Sequence, residues 1–490
     1  MFAKLRGAVG NLWSKYKQLS VPVKASLWFI GCSVVQKGMA FFTTPIFTRL
    51  MSTEQYGQFT LYTSWFNIIS IFVTLNLQYG TFNTAQVKFS NDRKAYTSSV
   101  QGLVTVISLL ALGIFAIFGN LFESIMELPV VLLLLMLLHI WGQFAINLWM
   151  SGKRFDYGYK SMIALTLFQT AAGMGVGLLF VANSAERGYA RILATILVEV
   201  AFGVGLFIYN MVRGKKFFVK EYWKFGLGFN VPLIPYYLSQ VVFSQSDRIM
   251  ISKMEGNDKA GIYGLAHNNA FLLSFIISAI RNAFIPKFFQ NIKANDSNAA
   301  KRDISKLILV VATLLFLFIF VAPELLWIMG GEAYMEAIWI IPPLVAGLLF
   351  EYFTDFSVNI LFFHEKKWML VLSTIGCAVV NIILNYFGIL LFGYQATAYA
   401  TLVAYILFWL LLDYSARKIC KKQGMDADGF LCSKQQLAIG GGFLVLSVGC
   451  LLLYRSIYLR YGVFLAALVV LFLLRKKLLP IIKDMLPFGK

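Results

Sequence analysis

The chain has 490 residues, of which 59% are hydrophobic, 16% aromatic and 13% charged, with a mean hydropathy of +0.72; a soluble protein of this size needs more charge on its surface. The 43 Lys and Arg against 23 Asp and Glu give a formal net charge of +20. In a soluble domain that excess suggests nucleic acid, but in a multi-pass membrane protein it marks the cytoplasmic loops, so no nucleic-acid partner is expected.

The first 23 residues carry Lys4, Arg6, Lys15 and Lys17. The apolar run behind them is too long for a signal-peptide core and lacks an A-x-A site, so this stretch is expected to stay attached. The run itself, residues 25–48, has one formal charge, Lys37. An ammonium at a spanning-helix centre costs about 2.5–3.5 kcal/mol on insertion scales, so it should face a wet cavity or a partner rather than lipid. Ser33, Ala40, Thr44 and Thr48 share its helical face, with Gln36 beside it. Such a stripe suggests a path for something anionic; pairing of Lys37 with a carboxylate is the alternative.

Further apolar segments fall at 58–79, 99–119, 129–150, 161–182, 189–211, 224–246, 261–281, 304–323, 337–362, 368–390, 395–416, 436–454 and 459–478, each near the length that crosses a hydrocarbon slab of about 30 Å. The reading is therefore all-α, with about fourteen spanning helices. Three segments are polar. The second carries Thr63, Asn67, Ser70, Thr74 and Gln78 at helical spacing; the eighth carries His267, Ser274, Ser278 and Arg281. The seventh holds Asn230, Ser239, Gln240 and Gln245, ends in Asp247-Arg248, and includes Pro232 and Pro235, which allow a kink or broken turn lining a cavity. These stripes fit either a polar cavity or ordinary hydrogen bonding between helices. On the tenth segment Glu351, Asp355 and Asn359 follow one another at i, i+4, i+8. Such carboxylates could carry a proton or a sodium ion, or neutralise Lys37 or an arginine. Glu199 in the sixth segment is a lone candidate with the same two readings, and His139 and His267 are too far apart in sequence to define a site.

Connections alternate between basic and cation-poor. Lys88-Arg93-Lys94, Lys153-Arg154-Lys160, Arg213-Lys215-Lys216-Lys220 and Lys366-Lys367 lie on one side, whereas Glu123-Glu127 and Glu324-Glu332-Glu336 lie on the other. This places both termini in the cytoplasm. Internal repeats accompany the alternation. Phe144-Ala-Ile-Asn147 before Lys153-Arg154 matches Phe356-Ser-Val-Asn359 before Lys366-Lys367; Tyr189-Ala190 matches Tyr399-Ala400; and Gly57-Gln-Phe59-Thr-Leu61 matches Gly261-Ile-Tyr263-Gly-Leu265. The matches keep one order and nearly one offset, so two six-helix lobes of the same orientation, flanking a central cleft, are expected. They would be residues 1–212 and 224–418, joined by a basic cytoplasmic linker at 213–223, with 419–490 contributing a cytoplasmic loop and two further helices. The first, second, seventh and eighth helices would then be equivalent in pairs, and they are the polar ones.

Enzyme signals are sparse. Asp426-Ala-Asp428 has the form that holds a metal and a sugar nucleotide, but among lysines and glycine it suits a solvated turn. No H-E-x-x-H, G-x-S-x-G or phosphate-cradling glycine loop occurs. The outward connections are too short for a glycan polymerase or ligase. Cys32, Cys377, Cys420, Cys432 and Cys450 form no CxxC pair, metal spacing or disulfide framework, with Cys420 and Cys432 expected on a cytoplasmic loop. No cofactor or metal is implied.

Thr44-Pro-Ile-Phe-Thr-Arg-Leu50 followed by Ser52-Thr-Glu-Gln-Tyr-Gly57, then Asp247-Arg-Ile-Met-Ile251, Ala260-Gly-Ile-Tyr263 and Tyr399-Ala-Thr401 leading to Ala416-Arg-Lys418, together resemble bacterial polysaccharide biosynthesis proteins. These are the oligosaccharide-lipid flippases, for O-antigen or capsule repeat units, of the multidrug/oligosaccharidyl-lipid/polysaccharide exporter superfamily. The resemblance runs from about residue 24 to 420 and implies a two-lobed transporter of twelve to fourteen helices in the bacterial inner membrane. Its substrate would be an undecaprenyl-diphosphate-linked oligosaccharide moved to the outer leaflet. Membrane lipids and glycan polymerase or assembly proteins would be its partners. In that setting Lys37, Arg248 and Arg281 would attract the diphosphate, and Gln36, Asn67, Gln78, Gln240 and His267 would serve the sugars, with Glu351, Asp355 and Glu199 as ion-coupling candidates. The rivals are a cation-coupled multidrug exporter of the same superfamily and a membrane glycosyltransferase using Asp426 and Asp428.

Overall fold

In the computed structural model of the chain, residues 21–473 are described, apart from the side chains of 21–23, 25–27, 29, 30, 33, 34, 37, 40, 80, 283 and 367. Every regular element among the described residues is helical. Ten helical stretches are long and apolar enough to cross a membrane, and they coincide with ten of the segments expected from hydropathy.

The other four segments behave differently. Residues 25–48 form α1 (Val21–Leu50), an unbroken helix despite Pro45. Residues 58–79 do not make one span: α2 (Thr53–Thr74) stops, and Leu75 and Asn76 adopt left-handed backbone before α3 (Gly80–Lys88). The third, 224–246, divides into α9 (Lys220–Asn230), a 3-10 turn at Val231–Leu233 and α10 (Ile234–Glu255). The divide falls at Pro232, which has no N–H to continue the ladder. The last, 459–478, corresponds as far as Leu473 to α19 (Ile457–Leu473), and its remainder lies outside the described residues.

Two compact units divide the chain: residues 1–51 with 65–237, and residues 52–64 with 238–490. In the first unit, α4 (Arg93–Ile117), α6 (Val130–Phe155) and α8 (Arg187–Gly214) pack on one another, while α7 (Tyr159–Ala182) lies on α8 and α1 on α7. A short α5 (Gly119–Met126) links α4 to α6. The crossing of α6 and α8 is close because Gly142 meets Gly203: a Cβ on Gly203 would come within 2.4 Å of the Gly142 Cα. In the same unit, Leu77, Phe82, Tyr96, Phe144 and Tyr222 form an apolar cluster. By contrast only 11% of the apolar window of α7 is covered by protein, which leaves most of its surface for lipid.

In the second unit, α14 (Ile341–Phe363) is the central helix, its span 72% covered. Around it stand α13 (Ser297–Gly330), α16 (Ala396–Lys422) and α18 (Ser433–Leu453), while α15 (Lys367–Phe392) packs on α16. Residues 52–64 of α2 lie against α11 (Asn257–Ala270), close enough that a Cβ on Gly57 would fall 1.7 Å from the Asn257 carbonyl oxygen and one on Gly261 2.2 Å from that of Thr53. Thr53 also donates to the Asp258 carboxylate. The two glycines matched as repeat counterparts in the sequence thus sit in one helix crossing. A 3-10 turn at Phe271–Leu273 precedes α12 (Ser274–Ala294). Near the end of the described chain, Arg460 of α19 is buried and paired with Glu324 of α13.

Candidate functional site

A buried polar network occupies the hairpin of α10 and α11. Gly256 reverses the chain with φ of 95°, a conformation costly for other residues, and Ser252 donates to the Asn257 side chain across the turn at 2.8 Å. The reversal brings the last turns of α10 beside α11. Tyr263 donates to Asp247 Oδ2 at 2.6 Å, and Asp247 Oδ1 accepts the Arg248 backbone N–H at 2.8 Å. The Arg248 guanidinium, 6% exposed, donates to the Ser244 carbonyl at 3.0 Å and to Gln245 Oε1 at 2.6 Å, and its Nη2 lies 2.5 Å from His267 Nδ1. Ser64 of α2 donates to the same Gln245 oxygen at 3.2 Å.

Because a guanidinium only donates, His267 Nδ1 must accept, so the ring is neutral with its proton on Nε2. The ring stacks on Phe271 at 4.1 Å between centroids. The acceptors of Arg248 are therefore all neutral, and no carboxylate of the described residues is within ion-pair range of it. Its positive charge is held in place without a close ion pair, although the buried carboxylate of Asp247, next in the chain, lies within its electrostatic reach. A second buried ladder adjoins it: Ser246 donates to Asn381 at 3.4 Å, as does Asn385 at 3.2 Å, while Asn381 reaches Thr401 at 3.5 Å.

The remaining sequence candidates fall elsewhere. Arg281 lies 2.6 Å from Asp355 Oδ2 in an ion pair, so the cation expected to meet substrate and a carboxylate expected to carry an ion face each other. Glu351, one turn before Asp355, is half-buried; its carbonyl accepts from the Thr354 hydroxyl at 2.6 Å, while its carboxylate makes no hydrogen bond among the described residues. Glu199 receives the Gln169 amide at 2.8 Å on both oxygens, within the first unit. Gln78 is buried and Asn67 half-buried in the first unit, whereas Gln240 and Gln36 are exposed. Lys37 lies in α1, but its side chain is outside the described residues.

Much of the hydroxyl stripe is satisfied within its own helix. Thr63 donates to the Thr60 carbonyl at 2.9 Å, Ser70 to Asn67 at 2.9 Å, Thr74 to Ser70 at 2.7 Å and Ser278 to Ser274 at 2.7 Å, the usual recourse of Ser and Thr in apolar helices. The D-x-D pair is likewise engaged. Asp426 caps α17 (Ala427–Leu431) by accepting the Asp428 N–H at 3.1 Å, and Asp428 pairs with Arg417 at 2.9 Å. Cys420, expected on a loop, lies in α16, whereas Cys432 does lie in a connection, between α17 and α18; both are buried, as are the other three cysteines, and all five are free.

Sequence reasoning passed over Asn381 and Asn385 although two amides at i, i+4 in an apolar run were a visible signal. Gln245 was seen only among the polar residues of the seventh segment and Tyr263 only within motifs, and Gln169 not at all.

Comparison with known proteins decides the family. Residues 23–292 match the family model described as polysaccharide biosynthesis protein. The chain belongs to that family. Among relatives of this polysaccharide biosynthesis protein is a Haemophilus influenzae protein of the Lsg locus, 24% identical over 380 residues that cover 72% of this chain and 88% of the relative. An uncharacterized membrane protein of the same organism is 25% identical over 362 residues, covering 71% and 85%. Among solved structures, the lipid II flippase MurJ in an inward closed conformation superposes with a TM-score of 0.66 over 92% of this chain and 99% of its own, at 14% identity. An inward-facing multidrug resistance MATE transporter of the MOP superfamily gives 0.57 over 79% and 95%, at 13% identity. This polysaccharide biosynthesis family member thus has the multi-pass membrane fold of those proteins.

Proposed function

We propose that the chain is a flippase that carries an undecaprenyl-diphosphate-linked oligosaccharide from the cytoplasmic to the outer leaflet of the bacterial inner membrane, by alternating access, for surface polysaccharide synthesis. Membership in a polysaccharide biosynthesis family supports the substrate class, and the fold shared with a lipid II flippase supports the type of movement. The observation that carries the reading is the Arg248 guanidinium, buried among neutral acceptors. A diphosphate is the chemistry that such a group attracts, through charge-assisted hydrogen bonds. The glycan cannot cross hydrocarbon unaided, because each unpaired hydroxyl costs about 2–7 kcal/mol there. Lys37 would add a second cation. The six-helix repeat, residues 1–212 and 224–418 joined by 213–223, would be the mechanical unit, with both termini cytoplasmic.

Reconstitution in liposomes with defined prenyl-diphosphate glycans, with and without imposed proton and sodium gradients, tests this. The parent chain should move the glycan to the opposite leaflet, and Lys37→Ala and Arg248→Ala should each abolish transfer while still inserting. Normal transfer by both variants would discard the reading. A cation-coupled multidrug exporter is the second reading, favoured by Glu351, a carboxylate without a hydrogen bond one turn from Asp355. Gradient-driven efflux of organic cations without glycan transfer would select it.

A further inference from the structure

Away from Arg248, the first unit carries a basic pocket at one end of its bundle. The opening turn of α4 and the closing turns of α6 and α8 meet there, bringing together Arg93, Lys94, Lys153 and Arg213 around a concavity of about 110 Å³. The single carboxylate on its wall is Asp156, 3.8 Å from Arg93 and exposed, so water screens that pair. Lys153 and Arg213 are explained in part by the dipoles of the helix C-termini that they occupy. Arg93 and Lys94 are not, because they stand in the first turn of α4, where the dipole and the free N–H groups favour an anion; the N-cap residue Asp92 makes no side-chain bond to that turn and instead accepts from the Tyr222 hydroxyl at 3.5 Å.

Three of the four cations are also held in place. Arg93 donates to the Gln86 carbonyl at 3.0 Å and lies 4.8 Å over the Phe155 ring; Arg213 reaches the Tyr209 hydroxyl at 2.5 Å; Lys153 sits 5.3 Å over Trp149. Lys94 has neither a hydrogen bond nor an ion pair among the described residues. The floor is polar and buried. Asn210 donates to Gln101 at 2.8 Å, and the covered indole N–H of Trp149 has no acceptor. Size narrows the ligand further, since pockets that enclose whole small molecules measure about 300–1,000 Å³. At about 110 Å³ this one matches a phosphate group better than a whole glycan.

We propose that this pocket binds a phosphate group, the chemistry shared by an anionic phospholipid headgroup at the membrane surface and a free phosphate ion. Basic pockets between helices on the cytoplasmic side hold lipid phosphates by this means, and these loops belong to the cation-rich set. The site is separate from Arg248 and does not depend on what the protein transports.

The test uses the full chain in nanodiscs of phosphatidylcholine, with phosphatidylglycerol replacing part of the lipid in one arm and inorganic phosphate, against sulfate at equal ionic strength, added in another. Thermal unfolding reads binding. Phosphatidylglycerol should raise Tm, and K94Q/K153Q/R213Q should lose at least half of that rise while unfolding normally in phosphatidylcholine. The control K418Q/K421Q/K422Q, which removes as many exposed cations elsewhere, should keep it. A rise with inorganic phosphate and none with phosphatidylglycerol supports the site and assigns it a soluble ligand. No rise in either arm, or equal losses in the two triple variants, overturns the proposal. On the unsubstituted chain a photoreactive phosphatidylglycerol should label α4, α6 and α8 at this end; labelling confined to other helices also overturns it.

Discussion

Arg248 and His267, nineteen residues apart in sequence, meet with the guanidinium Nη2 2.5 Å from the imidazole Nδ1. The contact fixes the tautomer of the histidine and aims a permanent cation without neutralising it. His267→Ala should leave a buried guanidinium N–H without an acceptor and lower stability by about 1–3 kcal/mol. His267→Gln, which restores an acceptor, should recover part of that. Arg248→Lys should not substitute for arginine, because one ammonium cannot serve Ser244, Gln245 and His267 in the planar fork they require. Unfolding in detergent together with glycan transfer measures both effects; a neutral His267→Ala would show the contact to be idle.

The crossing of α2 and α11 gives a second expectation. Gly57→Ala or Gly261→Ala places a methyl against backbone oxygen at 1.7 or 2.2 Å, and backbone cannot rotate aside as a side chain can. Each should destabilise by about 1–3 kcal/mol or more, the usual range for overpacking. Gly175→Ala and Gly205→Ala, which meet nothing within 4 Å, should be neutral or stabilise by up to about 1 kcal/mol through helix propensity. Melting temperatures of the four variants decide it.

For Arg281 and Asp355, paired at 2.6 Å, a double-mutant cycle of Arg281→Gln and Asp355→Asn should return a coupling of about 0.5–3 kcal/mol. Additive losses would mean that the two charges act separately. Gradient dependence of transport in Asp355→Asn, followed in the same proteoliposomes, should persist if Asp355 is only the counter-charge of Arg281.

Asp426→Ala and Asp428→Ala should act on stability alone. The first removes the cap of α17 and the second an ion pair with Arg417, and loss of a cap costs about 1 kcal/mol. Glycan transfer per molecule should be unchanged, and glycosyltransferase activity lost on either substitution would reinstate the enzymatic reading.

Hydropathy was enough to locate ten of the spanning helices, because long apolar runs have no other stable home in a bilayer. The break at Pro232 was legible for the equally local reason that proline lacks a donor. The end of α2 at Thr74 was not, since Leu75 and Leu77 continue the apolar pattern through a left-handed turn. At the site, Arg248 and His267 each stood out as polar residues in apolar surroundings. Their contact depends on the Gly256 reversal and on how α10 and α11 lie together, which no spacing rule encodes. Glu199 was visible and its partner Gln169 was not, because that pair joins two helices whose relative rotation is set by packing. Arg460 was missed because residues 459–478 read as a plain spanning segment, in which one charge leaves little trace in average hydropathy, and Glu324 was read only as part of an acidic connection, so their pairing was not visible.

The five sheltered thiols have a practical consequence. Since every native cysteine is buried and unbridged, a thiol-directed dye or spin label should react first with any cysteine introduced at an exposed position. The natural chain can therefore carry optical or magnetic reporters of its working cycle without first being stripped of sulfur.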